Sequence, residues 1–420
     1  MNDRSVCACL ATVRSHVYAG MRTAALLAMA AVALPGVALA QQDTTPIKLG
    51  LLTPFGGQQI GGKSVSSAAQ MAIDDFGGKL LGRPIELLVG DEQGKPDVAL
   101  AIARQWIDQE KITALFANAT SATTFAISDI TKPAKIPLQL VGPGSEDFTG
   151  VACSEFSTNY IWNVYSLPRA VINGVSREGV KTWYVITVDN AFGKSAESNA
   201  REFITASGGT VVGSGRFPAS MQDYSSVLLR AQASKADAIA LGTTGENSVS
   251  LIKQANEFGI MQAGQKIVVL SMNIQDVHAI GLEQAKGLKM VAPFYHDLNA
   301  EARAWTERYL KVSGGIMPTF MESGVYSSME HYLKAVQAAG TTDGPAVMAK
   351  LKAIALNNFE MKNVSRRDDG QMMRPMYLLQ VKSKAESKAP WDYYKVERTV
   401  PAAEAWRPAS ESKCRLLNKS

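Results

Sequence analysis

Three features of the sequence predict an α/β protein made of two Rossmann-like αβα lobes. Short apolar runs alternate with stretches of helical periodicity from residue 47 to residue 141. The same alternation restarts at residue 182, and the last third is mostly helical before it turns to strand. Strands alternating with helices of about 10–15 residues indicate βαβ units around parallel sheets. A length of 420 residues fits two domains at roughly 100–200 residues each. Two such halves and a helical return require the chain to cross between lobes more than once.

In the first half, Ile47 to Leu52 reads as a buried strand followed by a glycine loop. Ser66 to Phe76 then sets Ala68, Ala69, Ala72, Ile73 and Phe76 at helical spacing. Ile85–Val89 is a strand, and Pro96 opens a helix carrying Val98, Ile102, Trp106 and Ile107. Ile112–Phe116 (strand), Thr123–Ile130 (helix) and Pro137–Val141 (strand) complete this half. In the second, Thr182–Val188, Thr210–Gly213, Ala236–Leu241 and Lys266–Leu270 read as strands. Ala196–Ala206, Tyr224–Ala233 and Ser248–Phe258 read as the helices between them. Glu301–Val312, Met321–Ala339 and Pro345–Ile354 are predicted helices, the last opened by its proline. Asp368-Asp369-Gly370 signals a turn before Met376–Val381, and Trp391–Val396 reads as a further strand. The run Arg366-Arg367-Asp368-Asp369 reads as a solvated hairpin.

Composition narrows the function. With 46% hydrophobic and 19% charged residues the chain is globular, so general disorder is excluded. A net charge of +5 and no run of five Lys/Arg residues argue against a nucleic-acid partner. Beyond the N-terminus, no stretch offers the roughly 18 consecutive apolar residues of a membrane span, so a soluble mature protein is expected.

Met21-Arg22-Thr23, the apolar run Ala24–Val37 and Ala38-Leu39-Ala40 form a basic n-region, an h-region and an A-x-A site. This predicts a secretory signal over residues 1–40, cleaved after Ala40. Met21 begins a complete signal by itself, so residues 1–20 read as an upstream extension from a mis-set start. Cleavage removes Arg4, Arg14 and Arg22 against Asp3, leaving a net charge of +3, and leaves two cysteines, Cys153 and Cys414. In an oxidising compartment that pair is a disulfide candidate, the alternative being two free thiols. A bridge closing so long a loop contributes on the order of 4–5 kcal/mol in the loop-entropy treatment.

Gly57-Gln58-Gln59-Ile60-Gly61-Gly62-Lys63-Ser64 matches G-x-x-x-x-G-K-[ST], between a strand and a helix. An exported protein has no supply of nucleoside triphosphate, and any strand-to-helix loop offers free N–H groups to an anion. Lys63 and Ser64 are therefore expected as solvent-facing first-turn residues. There is no H-E-x-x-H, G-x-S-x-G, C-x-x-C or post-strand G-x-G-x-x-G motif. His278, His296 and His331 are scattered without metal-ligand spacing, and adjacent Asp74 and Asp75 point about 100° apart on a helix. No catalytic residue, metal site or cofactor is predicted.

Ile47-Lys48-Leu49-Gly50-Leu51-Leu52-Thr53-Pro54-Phe55-Gly56-Gly57 in an exported chain resembles the periplasmic leucine/isoleucine/valine-binding-protein family, the type I substrate-binding proteins of ABC transporters. Ala68–Phe76, Phe148-Thr149-Gly150 ahead of Cys153, Asp189-Asn190-Ala191-Phe192-Gly193 and Gln232–Ala236 add to the likeness. So do Asn256–Gly259, Gly324–Ser327 and the tail Glu386–Tyr394. The likeness extends over residues 46–415. It implies two lobes joined by three hinge strands, about 46–165 plus 291–375 and 166–290 plus 376–415, closing on a ligand between them. It also implies a small carboxylate ligand, an inner-membrane ABC permease as partner and a monomeric receptor without enzymatic activity. A soluble sensory receptor is the alternative in another class, and a secreted enzyme a third.

By the same resemblance, a ligand carboxylate is held on lobe one by Ser121, Ala122 and Thr123 and by Gly144 and Ser145. Hydroxyls and free N–H groups at a positive helix end suit an anion. A plain helix cap is the other reading of Ser121. On lobe two the family's tyrosine corresponds to Phe192, which lacks the hydroxyl. The next aromatic position falls at Thr243-Thr244-Gly245, and the ammonium-binding acid falls at Asn273–Asp276. These departures admit an aromatic or aliphatic carboxylate without an ammonium beside an α-amino acid. Phe55, Phe125, Phe192 and Tyr295 are candidates for an apolar wall, and Thr244 and Asn273 for polar contacts.

Overall fold

The computed structural model describes residues 44–56 and 62–417. The predicted export signal and residues 57–61 of the glycine loop lie outside the described residues. One sheet contains β1 (Ile47–Thr53), β2 (Lys79–Leu80), β3 (Arg83–Asp91), β4 (Ala114–Ala117), β5 (Leu138–Leu140) and β6 (Ser157–Asn159). Its strand order is β2-β3-β1-β4-β5-β6, parallel throughout except for β2. The other contains β7 (Thr182–Val188), β8 (Thr210–Phe217), β9 (Ala238–Gly242), β10 (Lys266–Val269), β11 (Lys289–Ala292), β12 (Met376–Val381) and β13 (Tyr394–Val400). Its order is β13-β12-β11-β10-β9-β7-β8, with β12 and β13 antiparallel.

Helices cover both sheets. α1 (Lys63–Asp75), α2 (Pro96–Gln105) and α3 (Ser121–Thr131) belong to the first. α4 (Ser166–Ser176), α5 (Ala191–Ala206), α6 (Ser225–Ala233), α7 (Gly245–Glu257), α8 (Ile274–Ile280) and α9 (Leu282–Ala285) belong to the second. α10 (Ala300–Ser313), α11 (Phe320–Ala339) and α12 (Gly344–Ala353) return to the first, where α10 and α11 pack on α1. Because both faces are covered, a central strand such as β1 is apolar on both sides. Leu49 and Leu51 pack with Val65, Ala68 and Ala72, while Leu52 joins Trp106 and Ile127 on the opposite face. Each fully buried leucine contributes about 1.5–3 kcal/mol. Trp106 opens a π-helical turn, Trp106–Glu110, and its ring fills a slot that only glycine leaves open. A Cβ on Gly50 would lie 2.7 Å from the indole, and one on Gly90 2.9 Å.

The chain passes between the sheets at residues 160–165, 293–299 and 371–375. Arg374, on the third passage, joins all of them. Its guanidinium donates to the Tyr160 carbonyl at 3.5 Å, the Pro293 carbonyl at 2.6 Å and the Glu360 carboxylate at 2.9 Å. After β13 and α13 (Ala402–Ala405), the tail turns back. Trp406 donates its indole N–H to the Arg374 carbonyl at 2.8 Å, and Ser412 bonds the Thr149 carbonyl. Cys414 is disulfide-bonded to Cys153 across 261 residues of sequence.

Several expectations need correction. Arg366 and Asp369 are buried, not solvated, because Arg366 donates to Thr158 and to the Ser157 carbonyl while Asp369 pairs with Arg367. Ser64 is buried and donates to the Glu322 carboxylate at 2.8 Å, whereas Lys63 faces solvent as expected. The last strand starts at Tyr394 rather than Trp391, which adopts a left-handed φ of 69°. β6, α4, α8 and β11 lie in stretches where no element was foreseen. Short length or weak periodicity explains β6, α8 and β11. α4 is an 11-residue helix whose Leu167, Ala170, Val171 and Val175 do follow helical spacing, so its pattern was present in the sequence and overlooked.

Candidate functional site

In parallel α/β sheets, ligands bind beyond the strand C-termini where the strand order reverses. The first sheet reverses between β1 and β4, and the second between β7 and β9. At the first point, Asn118 donates to Thr53 Oγ1 at 3.1 Å, tying the end of β4 to the end of β1. α3 begins three residues later. Its N-cap is Thr120, whose hydroxyl accepts the Thr123 N–H at 3.2 Å. Ser121 is therefore not the cap, and that alternative falls.

Ser121 instead reaches the neighbouring loop. Its Oγ accepts the Ser145 N–H at 3.0 Å, joining the two segments that the family resemblance places at a carboxylate. The oxygen is engaged as an acceptor, so its proton can point at a ligand. The unpaired N–H groups of the α3 first turn add a positive end. Ala122 is exposed at this end, whereas Thr123 is buried, its hydroxyl 2.8 Å from that of Thr120. Gly144 lies against Trp162, and a Cβ there would sit 2.6 Å from the indole. Trp162 also meets Phe320, the first residue of α11, edge-on at 6.5 Å between centroids. That end of α11 is fixed by a reciprocal cap. Glu322 accepts from the N–H and hydroxyl of Thr319 and also from Ser64 of α1, and burial pushes its carboxyl up.

The second reversal point presents helix N-termini as well. Asn190 caps α5 by accepting the Gly193 N–H at 2.9 Å, setting Phe192 in the first turn, half-buried against the core. Thr244 is the N-cap residue of α7 and is exposed, whereas Thr243 is fully buried with its hydroxyl unpartnered. Asn273 is the N-cap residue of α8 and forms a capping box with Asp276, three residues on. The nearby acid, Asp276, folds back to accept the Asn273 N–H at 2.9 Å. Burial pushes its carboxyl up, opposed by that bond.

The aromatic candidates separate. Phe55 is 59% exposed beside the glycine loop. Phe125 stacks on Phe148 at 4.1 Å inside the first lobe, and Tyr295 is buried under the Trp391 carbonyl. Trp162 and Phe320 escaped the sequence reading. Trp162 sits on an interlobe passage without periodicity, and Phe320 looks like one more apolar helix residue. Nothing in either segment marks a site until the two meet beside Gly144.

Two mostly parallel sheets, each with a strand-order reversal bordered by helix N-termini, give the fold of a two-lobed α/β solute-binding receptor. The sequence profile of a family described as periplasmic binding protein matches residues 46–386, and the chain belongs to that family. A periplasmic binding protein from Burkholderia mallei is 38% identical, covers 88% of this chain and 99% of its own, and superposes with a TM-score of 0.82. A branched-chain amino acid ABC transporter periplasmic ligand-binding protein from Burkholderia xenovorans is 35% identical, covers 88% and 100%, and gives 0.83. A solute-binding protein of an ABC transporter from Rhodopseudomonas palustris, solved with 3,4-dihydroxy benzoic acid, shares the fold at 21% identity, covering 87% and 99%, with a TM-score of 0.77. The chain is thus a periplasmic binding protein of the branched-chain amino acid ABC transporter type. No helix among the described residues is long and apolar enough to cross a membrane.

Proposed function

We propose that this protein is the receptor of an ABC importer and captures a small carboxylate that carries no ammonium group. The observation that carries the reading is the Ser145 N–H bond to Ser121 Oγ, which leaves the Ser121 proton and the α3 N-terminus available to one anion. The absence of an ammonium follows from lobe two. Asp276 is committed to the Asn273 N–H, and Phe192 stands where the family has a tyrosine. Trp162 and Phe320 next to Gly144 suit an apolar or aromatic body. The Rhodopseudomonas palustris relative binds an acid of this kind.

In this reading residues 46–165 plus 291–375 and 166–290 plus 376–415 form the two lobes. The ligand touches both only when they are closed, so binding shifts the population toward closure. The closed monomer then presents the ligand to an inner-membrane permease. A thermal-shift screen with leucine, succinate, benzoate and 3,4-dihydroxybenzoate tests the ligand class. Ligand at 100 times Kd stabilises the native state by about 2.7 kcal/mol, enough to read as a shift. We expect a shift with an acid lacking an ammonium and none with leucine; the reverse pattern would overturn the reading.

A further inference from the structure

Gln275 lies in the first turn of α8, two residues after Asn273. Its carboxamide donates to the Met317 carbonyl at 2.7 Å. The two partners belong to different lobes. α8 follows β10 of the second sheet, whereas Met317 precedes α11, which packs on α1 of the first. The Met317 loop is anchored to lobe one from both sides. Tyr309 at the end of α10 donates to the Ser64 carbonyl at 3.0 Å, and Glu322 accepts from Ser64. Gly314 and Gly315, at φ 76° and 88°, turn the chain so that this carbonyl faces α8. Met317 is 8% exposed, so the bond forms in a largely dry setting.

We propose that Gln275 is a closing latch, a positioning residue whose bond to the Met317 carbonyl favours the closed arrangement without any ligand. A hydrogen bond between lobes exists only when they meet, so its whole contribution falls on the closed state. The acceptor is a main-chain carbonyl on an anchored loop, available whatever the ligand. The latch and the candidate contact Asn273 share one helical turn, so a ligand that draws in Asn273 also brings Gln275 to its acceptor. The inference rests on the closure reading above but not on the ligand's identity.

The experiment uses the ligand-free protein, with spin labels on cysteines introduced at Lys311 of α10 and Glu246 of α7, both exposed. Pulsed dipolar spectroscopy on frozen samples reports the fractions of short and long interlobe distances. Two distances are expected in the parent protein. In Gln275→Ala and Gln275→Glu the closed-to-open ratio should fall about twofold to tenfold, the value of one net hydrogen bond. Unchanged circular dichroism guards against a folding defect, and Glu283→Ala on α9 should leave the ratio unaltered. Two distances with the same ratio in parent and Gln275 variants would overturn the latch and leave the closure reading standing. A single distance in every ligand-free protein would also overturn the latch, because no closed population would then depend on Gln275, and would leave closure on binding standing.

Discussion

Arg374 and Glu360 form an ion pair at 2.9 Å in which neither side chain is exposed to solvent. Removing one partner of such a pair leaves a buried charge uncompensated and costs about 3–5 kcal/mol. Arg374 also holds the Tyr160 and Pro293 carbonyls, so its loss frees acceptors on two other interlobe passages. Arg374→Met should lower the unfolding free energy by at least about 3 kcal/mol in urea titrations, with part of it recovered in Arg374→Met/Glu360→Leu. A loss below about 1 kcal/mol would show that the pair does not hold the passages together.

Neighbouring hydroxyls at the α3 start should separate affinity from stability. Thr120→Ala removes the cap and should cost about 1 kcal/mol of stability. Ser121→Ala leaves the cap intact but removes a donor to a charged group, contributing roughly 1.5–3 kcal/mol, so affinity should fall about tenfold to a hundredfold. Calorimetric titration with the acid found in the screen, beside apo melting curves, checks both. Equal affinities in wild type and Ser121→Ala would remove Ser121 from the site.

The Cys153–Cys414 bond ties the C-terminal tail to the segment after β5. Reduction under native conditions should lower the melting temperature by about 5–10 °C, given several kcal/mol of loop entropy over this span. Non-reducing peptide mapping should find the two cysteines linked. Quantitative alkylation of both in the native, unreduced protein would contradict the bond.

Burial holds His331 at a pKa of about 4, although its bond to the Ile354 carbonyl pushes the other way. The ring also meets the Tyr160 hydroxyl at 3.0 Å. Above pH 6.5 the folded and unfolded states both carry a neutral imidazole. Below it the unfolded chain takes up a proton that the native state refuses. His331 therefore subtracts stability as pH falls from about 6.5 to about 4, by up to roughly 1.4 kcal/mol per pH unit. Imidazole NMR, assigned with His331→Gln, should show the ring neutral at pH 5; a midpoint near 6.5 would refute the burial argument.

Much of the fold was legible because periodicity is local. Thr182–Val188 and Met376–Val381 fall on the strands read from their apolar runs. α11 begins one residue before its predicted start. Short or weakly patterned elements such as β6, α8 and β11 were not legible, since their stability comes from neighbours rather than from their own pattern. The candidate site divided in the same way. The family likeness suggested Ser121, Gly144 and Ser145, but no sequence signal linked Trp162 to Gly144 or Gln275 to Met317.

By itself the sequence determined the alternation of strand and helix, the family likeness and the pair of cysteines beyond residue 40. Those properties depend on near neighbours, on composition or on short ordered motifs. The tertiary structure decided which polar groups are used. It made Thr120 rather than Ser121 the cap, buried Arg366 and Asp369, and turned Asp276 onto its own helix. Each outcome depends on groups far apart in sequence competing for hydrogen bonds in space, where the nearest partner with the right geometry wins once water is excluded.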